Sequence, residues 1–215
     1  MSWEDEDLVR KLGRTTLCLG SSESGTIIQK GDHGFMEALQ QYYSGSESDA
    51  LERLAQLKKK LRKASKSDFW SLLIHGMTAI TSSQYGFVSK RVQGVGESVS
   101  QAPLPGEPGS CLLAVVFYWN DGGELHNLKR DYKYWASGAP CDGMKHDKVF
   151  LVPNGLPQFF PNNPNPLPFP AEAYMGIPMF TEGRCFGHFG SMFHFMSPTP
   201  FLKTSFLTSS SLKHG

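Results

Sequence analysis

The sequence predicts an α+β fold in which amphipathic helices come first and antiparallel strands follow. Apolar residues recur at helical spacing between Ser48 and Gln84. The run from Cys111 to Trp119 is apolar on both faces, which is typical of a central strand. The stretch from Ala171 to Phe193 contains two apolar runs separated by a Thr-Glu-Gly break, which predicts a hairpin. Helices and strands that are segregated along the chain in this way favour an α+β domain.

Length and charge limit the classes of protein that fit. A chain of 215 residues favours one core with extensions. The 21 basic and 20 acidic residues nearly cancel, so composition gives no reason to expect nucleic acid or a membrane surface as partner. The acidic start of the chain lacks the apolar stretch of a secretory signal, and no apolar run approaches the roughly 20 residues of a membrane-spanning helix. We therefore expect a cytoplasmic protein, with the nucleus as the alternative.

The four cysteines show no paired short spacing. In a reducing compartment such residues are more often small buried side chains than disulfide partners. We expect Cys18, Cys111, Cys141 and Cys185 to be thiols.

Residues 1–46 have no sustained periodicity, so we expect a partly disordered extension with a short helix within Gly34 to Tyr43. An amphipathic helix then begins near Ser48, which is available to cap it. Its leucines recur at helical spacing, and Ser65 with Asp68 predicts that a second helix starts next. The basic run from Lys58 to Lys63 fits either a nuclear address or a solvated helix face, and we favour the solvated face.

The strands follow. Gln84 to Val92 predicts a first strand, and the Gly- and Pro-rich segment from Gly94 to Ser110 predicts a mobile loop that proteases cleave. After Cys111 to Trp119, the chain turns and we expect an opposing strand from Leu125 to Trp135. Further along, residues 149–152 predict a short strand and residues 156–160 a helical turn. The alternating prolines of residues 162–170 predict a stiff connector.

The motifs of common enzymes are missing. No G-x-S-x-G elbow, phosphate-binding loop or dinucleotide fingerprint is found, so we expect no catalytic activity. Two pairs, His188 with His194 and Cys141 with His146, could each supply part of a metal site. A zinc site needs about four converging ligands, so we expect no metal, and we expect the two strand histidines to hydrogen-bond to loop carbonyls instead.

The order of motifs in the second half resembles that of GAF domains of the sensor type. The resemblance rests on Tyr174-Met175-Gly176-Ile177-Pro178-Met179-Phe180 followed by Gly183-Arg184 and Gly187-His188-Phe189-Gly190, on the upstream Gly138-Ala139-Pro140-Cys141-Asp142, and on Phe159-Phe160-Pro161. It covers residues 69 to 195. It implies a mainly antiparallel sheet of five or six strands, with helices on one face and a pocket built by loops on the other. The expected domains are therefore residues 1–46 as the extension, 47–195 as the GAF-like domain and 196–215 as an atypical tail.

GAF folds hold small molecules between the sheet and the segments that cross its face. Pockets of this kind are mostly apolar with a few polar groups. The candidate ligand-binding residues are Tyr132, Trp135, Cys141, His146, Phe159, Phe160, Tyr174, His188 and Met192. The alternative is that the same aromatic residues fill the interior.

Two departures from related domains exclude specific ligands. Bilin-binding relatives attach their chromophore through a Cys followed by His, whereas Asp142 follows Cys141. The Asn-Lys, Phe and Asp-Glu pattern of cyclic-nucleotide-binding GAF domains is also missing. No cofactor follows from these residues.

The function that the resemblance implies is regulatory: an intracellular signalling module that senses a small ligand, mediates dimerisation, or does both, and reports through a partner protein or a second copy. Two alternatives remain open. One is a thiol-dependent reductase that resembles the free methionine sulfoxide reductases, and the other is a protein-interaction module with a filled pocket.

The C-terminal tail differs from the long closing helix of many GAF domains. Pro198 and Pro200 oppose a helix, and the Ser- and Thr-rich residues that follow favour one weakly. We therefore expect part of the helical face to be left exposed or to be covered by residues 1–46 or a second copy, and we expect self-association or low stability.

Overall fold

The computed structural model describes residues 18–20, 26–40, 47–91, 111–119, 133–146, 148–165, 170–181 and 184–194. The expectations that lie outside these residues include the cleavable loop at 94–110, the turn at 120–123, the first part of the strand expected from Leu125, and the tail at 196–215.

The described chain forms one eight-stranded sheet and four α-helices. In chain order the elements are β1 (Cys18–Gly20), β2 (Ile27–Gln29), α1 (Phe35–Gln40), α2 (Glu47–Leu61), α3 (Phe69–Thr81), β3 (Tyr85–Arg91), β4 (Cys111–Trp119), β5 (Lys133–Trp135), a 3-10 helix (Pro140–His146), β6 (Phe150–Val152), α4 (Leu156–Phe159), β7 (Ala173–Thr181) and β8 (Arg184–Phe193). The strand order across the sheet is β2-β1-β6-β7-β8-β3-β4-β5. Within this part of the chain, no helix has the length and apolarity that crossing a membrane requires.

The predicted hairpin lies at the centre of the sheet. Strands β7 and β8 pair antiparallel from Ala173 opposite Phe193 to Thr181 opposite Arg184. On its other side β8 pairs with β3, so each side chain of β8 has neighbours on two strands. Pro178 lies opposite His188, two residues beyond the part of β7 that pairs with β6. The six strands β3 to β8 match the five or six expected for the GAF-like domain.

The first two strands were not predicted. β1 pairs antiparallel with β2 and parallel with β6, which extends the sheet beyond the expected domain start at residue 47. Helix α1 lies within the short helix expected at Gly34 to Tyr43. Part of the expected extension therefore belongs to the same sheet, and the domain boundaries themselves stay predictions.

Helices α2 and α3 pack on one face of the sheet, as expected. Leu57, Leu73 and Ile74 are buried there against side chains from β7 and β8. Leu19 of β1 and Phe35 of α1 belong to this apolar cluster, so part of the N-terminal segment contributes to the same core. At the start of α2 the predicted stripe is incomplete, since Leu51 is 42% exposed.

The helix ends differ slightly from those predicted. α2 begins at Glu47, so Ser48 lies inside the helix and not at the N-cap position. The hydroxyl of Ser65 accepts the backbone N–H of Asp68 at 3.2 Å, and α3 then begins at Phe69. His75 is exposed on α3.

A second apolar cluster covers the opposite face of the sheet. Its buried members come from β1, β3, β6, β7 and β8 and from the segments that cross the face between β5 and β7. They are Cys18, Tyr85, Phe87, Ala136, Cys141, Met144, Phe150, Val152, Leu156, Ala171, Tyr174 and Met192. This face, with the 3-10 helix and α4 over it, is where the sequence predicts the ligand pocket.

Candidate functional site

The polar groups on this face form one row, which we call the polar chain: Tyr174, Cys141, Tyr134, Ser89 and His188, all buried except the half-buried Tyr134. Its strongest links are short. Tyr134 donates its hydroxyl proton to Ser89 Oγ at 2.7 Å, and Ser89 Oγ lies 2.9 Å from His188 Nδ1. Cys141 Sγ lies 3.9 Å from the hydroxyl oxygens of both Tyr134 and Tyr174. The polar chain therefore joins β7, the 3-10 helix, β5, β3 and β8.

Strand register explains why Ser89 and His188 meet. The two residues are directly paired across β3 and β8. On β3, Tyr85, Phe87 and Ser89 alternate onto the same face, so Ser89 is the polar end of an apolar row. The pairing of β3 with β4 shifts register between Val88 and Ser89, and such irregularities redirect side chains.

Glycines let two aromatic rings lie flat against the sheet. Gly176 and Gly190 are paired across β7 and β8. A β-carbon at Gly190 would lie 2.3 Å from Cζ of Phe87, and one at Gly176 would lie 2.6 Å from the hydroxyl oxygen of Tyr174. The rings of Phe87 and Tyr174 therefore take the space that side chains at these positions would need.

His188 is the exceptional member of the polar chain. It is fully buried, and the edge of its ring meets Phe87 with the ring centroids 5.3 Å apart. Burial lowers the pKa of His188 to about 3, so the imidazole is neutral at physiological pH. Among the described residues, its Nε2 has no hydrogen-bond partner. A buried polar atom of this kind is uncommon in folded proteins and calls for an explanation.

Burial has the opposite effect on Cys141. It raises the pKa of the thiol to about 12, although the hydroxyls of Tyr134 and Tyr174 act to lower it. Burial also raises the pKa of Tyr174 well above its ordinary value. Cys141, Tyr174 and His188 are therefore uncharged at neutral pH.

Most of the predicted ligand-binding residues lie together. Cys141, Tyr174 and Met192 are buried in the same cluster, and Phe159 and Phe160 pack against it with their ring centroids 4.8 Å apart. His188 joins them through Ser89 and Tyr134. The side chain of His146 and the whole of Tyr132 lie outside the described part of the chain.

Trp135 does not join the cluster. It is 50% exposed, because alternation along β5 turns Tyr134 toward the polar chain and Trp135 away from it. The backbone of Trp135 is instead bonded to Asn165, whose Oδ1 accepts the N–H at 3.1 Å and whose Nδ2 donates to the carbonyl at 2.6 Å. The side chain of Asn165 thus takes the place of a neighbouring strand at this sheet edge.

The expected partners of the two strand histidines were wrong. His188 contacts Ser89, and His194 Nε2 lies 3.1 Å from the hydroxyl of Tyr85, so hydroxyls replace the loop carbonyls that we expected. In the part of the chain that the structure describes, no three His, Cys, Asp or Glu side chains converge as metal ligands would.

Comparison with known structures identifies the fold. The chromophore-binding domain of Stigmatella aurantiaca phytochrome P1 matches with a TM-score of 0.52 and 10% identity, over 80% of this chain and 64% of that one. The chromophore-binding domain of an unusual bacteriophytochrome from R. palustris matches with a TM-score of 0.48 and 11% identity, over 76% of this chain and 59% of that one. No protein-family profile and no curated protein matches this chain.

The likeness to the Stigmatella domain confirms the α+β, GAF-like fold expected from the sequence. At this identity it shows the fold alone. The chain spans less than two thirds of the length of either structure.

Proposed function

We propose that this chain is a sensory module of intracellular signalling that binds a small ligand on the sheet face carrying the polar chain. The observation that carries the proposal is the fully buried Nε2 of His188, which has no partner among the described residues. A ligand atom at this position would satisfy it. The matching solved domain is described as chromophore-binding, which supports a small-molecule role for a fold of this kind.

The site has the general composition of a ligand pocket. Apolar side chains such as Met192 and the rings of Phe87, Phe159 and Tyr174 surround a few polar atoms. The polar chain runs from His188 on β8 through Ser89 on β3 to Tyr134 on β5. A ligand at His188 would therefore change hydrogen bonds on three strands, and a partner protein or a second copy would read that change.

The thiol-dependent reductase is disfavoured by the state of Cys141. A nucleophilic cysteine acts as the thiolate and needs a lowered pKa, whereas burial raises the pKa of this thiol to about 12. Burial also raises the pKa of Cys18. Our proposal accordingly includes no catalytic step.

One specific observation favours the interaction module with a filled interior. The rings of Phe87 and Tyr174 already lie over Gly190 and Gly176, where a ligand would otherwise contact the sheet. In that case the module would act through its surface, on which Met36, Leu51 and Trp135 are the exposed large apolar side chains of the described residues. Binding of a ligand instead requires at least one of the two rings to move.

Native mass spectrometry of the full chain, isolated from its own cells, separates the two functions. We expect a small molecule bound to the wild type and to the control His75→Leu, which alters an exposed histidine on α3. We expect much less of it on His188→Leu. Folded wild-type protein that carries no small molecule would contradict the sensory proposal and favour the filled module.

A further inference from the structure

The directions of the hydrogen bonds next to His188 determine whether its unpartnered ring nitrogen, Nε2, carries a proton. Tyr134 carries one hydroxyl proton and donates it to Ser89 Oγ at 2.7 Å. Ser89 therefore accepts a hydrogen bond from Tyr134, and its own hydroxyl proton still needs an acceptor. Ser89 is fully buried, so bulk water does not reach it.

His188 is the acceptor for that proton. Among the described residues, the contacts of Ser89 Oγ are those with Tyr134, which donates to it, and with His188 Nδ1 at 2.9 Å. If Nδ1 carried a proton and donated it to Ser89, the serine proton would be left buried without an acceptor, which is costly. Ser89 therefore donates to Nδ1. A neutral imidazole that accepts at Nδ1 carries its proton on Nε2.

We infer that Ser89 holds His188 as the Nε2–H tautomer, and that the ligand of this site presents a carbonyl or carboxylate oxygen to that N–H. This inference rests on the proposed sensory function, since it names the chemical class that the site selects. The ligand is otherwise largely apolar, because Phe87 contacts His188 and the apolar cluster with Tyr174 and Met192 covers the same face.

A cation is excluded by the same arrangement. The imidazole offers a donor, and the polar chain contains no carboxylate. The acid closest to it along the chain is Asp142, beside Cys141; its Oδ1 lies at ion-pair distance, 3.2 Å, from Lys145 Nζ but accepts no hydrogen bond within the described residues. A positively charged ligand would face the partial positive charge of the N–H hydrogen in a site shielded from water.

The tautomer is tested without any ligand. Long-range ¹H–¹⁵N correlation spectra of the full chain, labelled at histidine nitrogens, distinguish a protonated ring nitrogen from an unprotonated one. We expect Nε2 of His188 to be protonated in the wild type and in Tyr134→Phe, since Ser89 still donates in that variant. Ser89→Ala removes the donor and should give a mixture of tautomers. A wild-type protein with its proton on Nδ1 would overturn the inference.

The ligand class is tested with four fragments of similar shape: acetophenone, benzoate, α-methylstyrene and benzamidine. The first two offer an oxygen acceptor, the third replaces the carbonyl oxygen by a methylene group, and the fourth is a cation. We expect the first two to shift the Nε2 resonance of His188, and acetophenone to bind about tenfold more tightly than α-methylstyrene.

The outcomes separate the two proposals. If α-methylstyrene or benzamidine binds as well as acetophenone, the inferred acceptor class is wrong and the site still binds ligands. If none of the four shifts His188 while its tautomer is as assigned, the ligand site itself is contradicted, and the sensory proposal fails with it.

Discussion

Replacing His188 with asparagine is expected to weaken the pH dependence of stability in the ligand-free protein. The amide oxygen of asparagine retains an acceptor for Ser89 and removes the titrating ring. The stability of the variant at neutral pH is lower, because a buried ring is lost. The informative quantity is therefore the change in unfolding free energy between pH 7 and pH 5, compared between the two proteins.

The sign follows from the lowered pKa. In the native state burial holds the pKa of His188 at about 3, against an ordinary value of 6.5. Above pH 6.5 both the folded and the unfolded forms are neutral, so the stability contribution is complete. As the pH decreases from 6.5 toward 3, only the unfolded state gains the proton, and stability is lost at about 1.4 kcal/mol per pH unit. The loss from this residue is about 2 kcal/mol at pH 5.

Urea unfolding followed by tryptophan fluorescence, at constant ionic strength, measures this difference. The wild type and the control His75→Asn should both show the full loss between pH 7 and pH 5. His188→Asn should lose about 2 kcal/mol less over the same interval. If the unfolding free energies of the wild type and His188→Asn decrease by the same amount between pH 7 and pH 5, burial does not hold His188 neutral. The description of the site would then be wrong.

Three further predictions concern Cys141, two glycines and Asn165. The Cys141 thiol should resist iodoacetamide at pH 8 in the folded protein and react once urea unfolds it; rapid labelling of the folded form would revive the reductase alternative. Gly187→Ala should lower the free energy of unfolding by about 1–3 kcal/mol, since the new β-carbon would lie 2.2 Å from a backbone oxygen of β3. Gly76→Ala should lower it by less, because the new β-carbon there would meet the end of a leucine side chain, which can move. Asn165→Ala should cost about 1 kcal/mol and promote concentration-dependent association through the uncovered β5 edge, as measured by sedimentation, whereas the exposed Asn162→Ala should do neither.

The sequence predicted those elements that local pattern determines. The central hairpin and the two helices that cover the sheet each contain apolar residues at the period of their own structure. The helical turn at Leu156 and the short strand before it were likewise predicted. The strands of the GAF-like domain were each expected from their own residues, whereas the expected total of five or six came from the resemblance.

The N-terminal strands could not be predicted in this way. Each has three residues, Cys18–Gly20 and Ile27–Gln29, which is too short to show a period of two. β1 is stabilised by parallel pairing with β6, which lies about 130 residues further along the chain. Such a pairing depends on the tertiary structure and leaves no local signal.

The candidate site was predicted in part. Tyr174, Met192 and Cys141 were correctly grouped on one face, whereas Ser89 and Tyr134 were missed. Strand alternation would have indicated a choice at β5, because Tyr134 and Trp135 point to opposite faces and only one of them can lie in the site. Ser89 was recognisable as the small polar residue that continues the Tyr85 and Phe87 row of β3. The proton assignment at His188 needed the structure, because it depends on the contacts between three strands.

The identity of the group at His188 Nε2 tests the central claim most directly. A crystal structure of the full chain, purified from its own cells at a resolution that places small molecules, would show that group. The sensory proposal predicts electron density for a small molecule with an oxygen about 2.8–3.0 Å from Nε2. Density showing that Nε2 donates to a protein group, with the rings of Phe87 and Tyr174 lying over their glycines and no small molecule on this face, would contradict it.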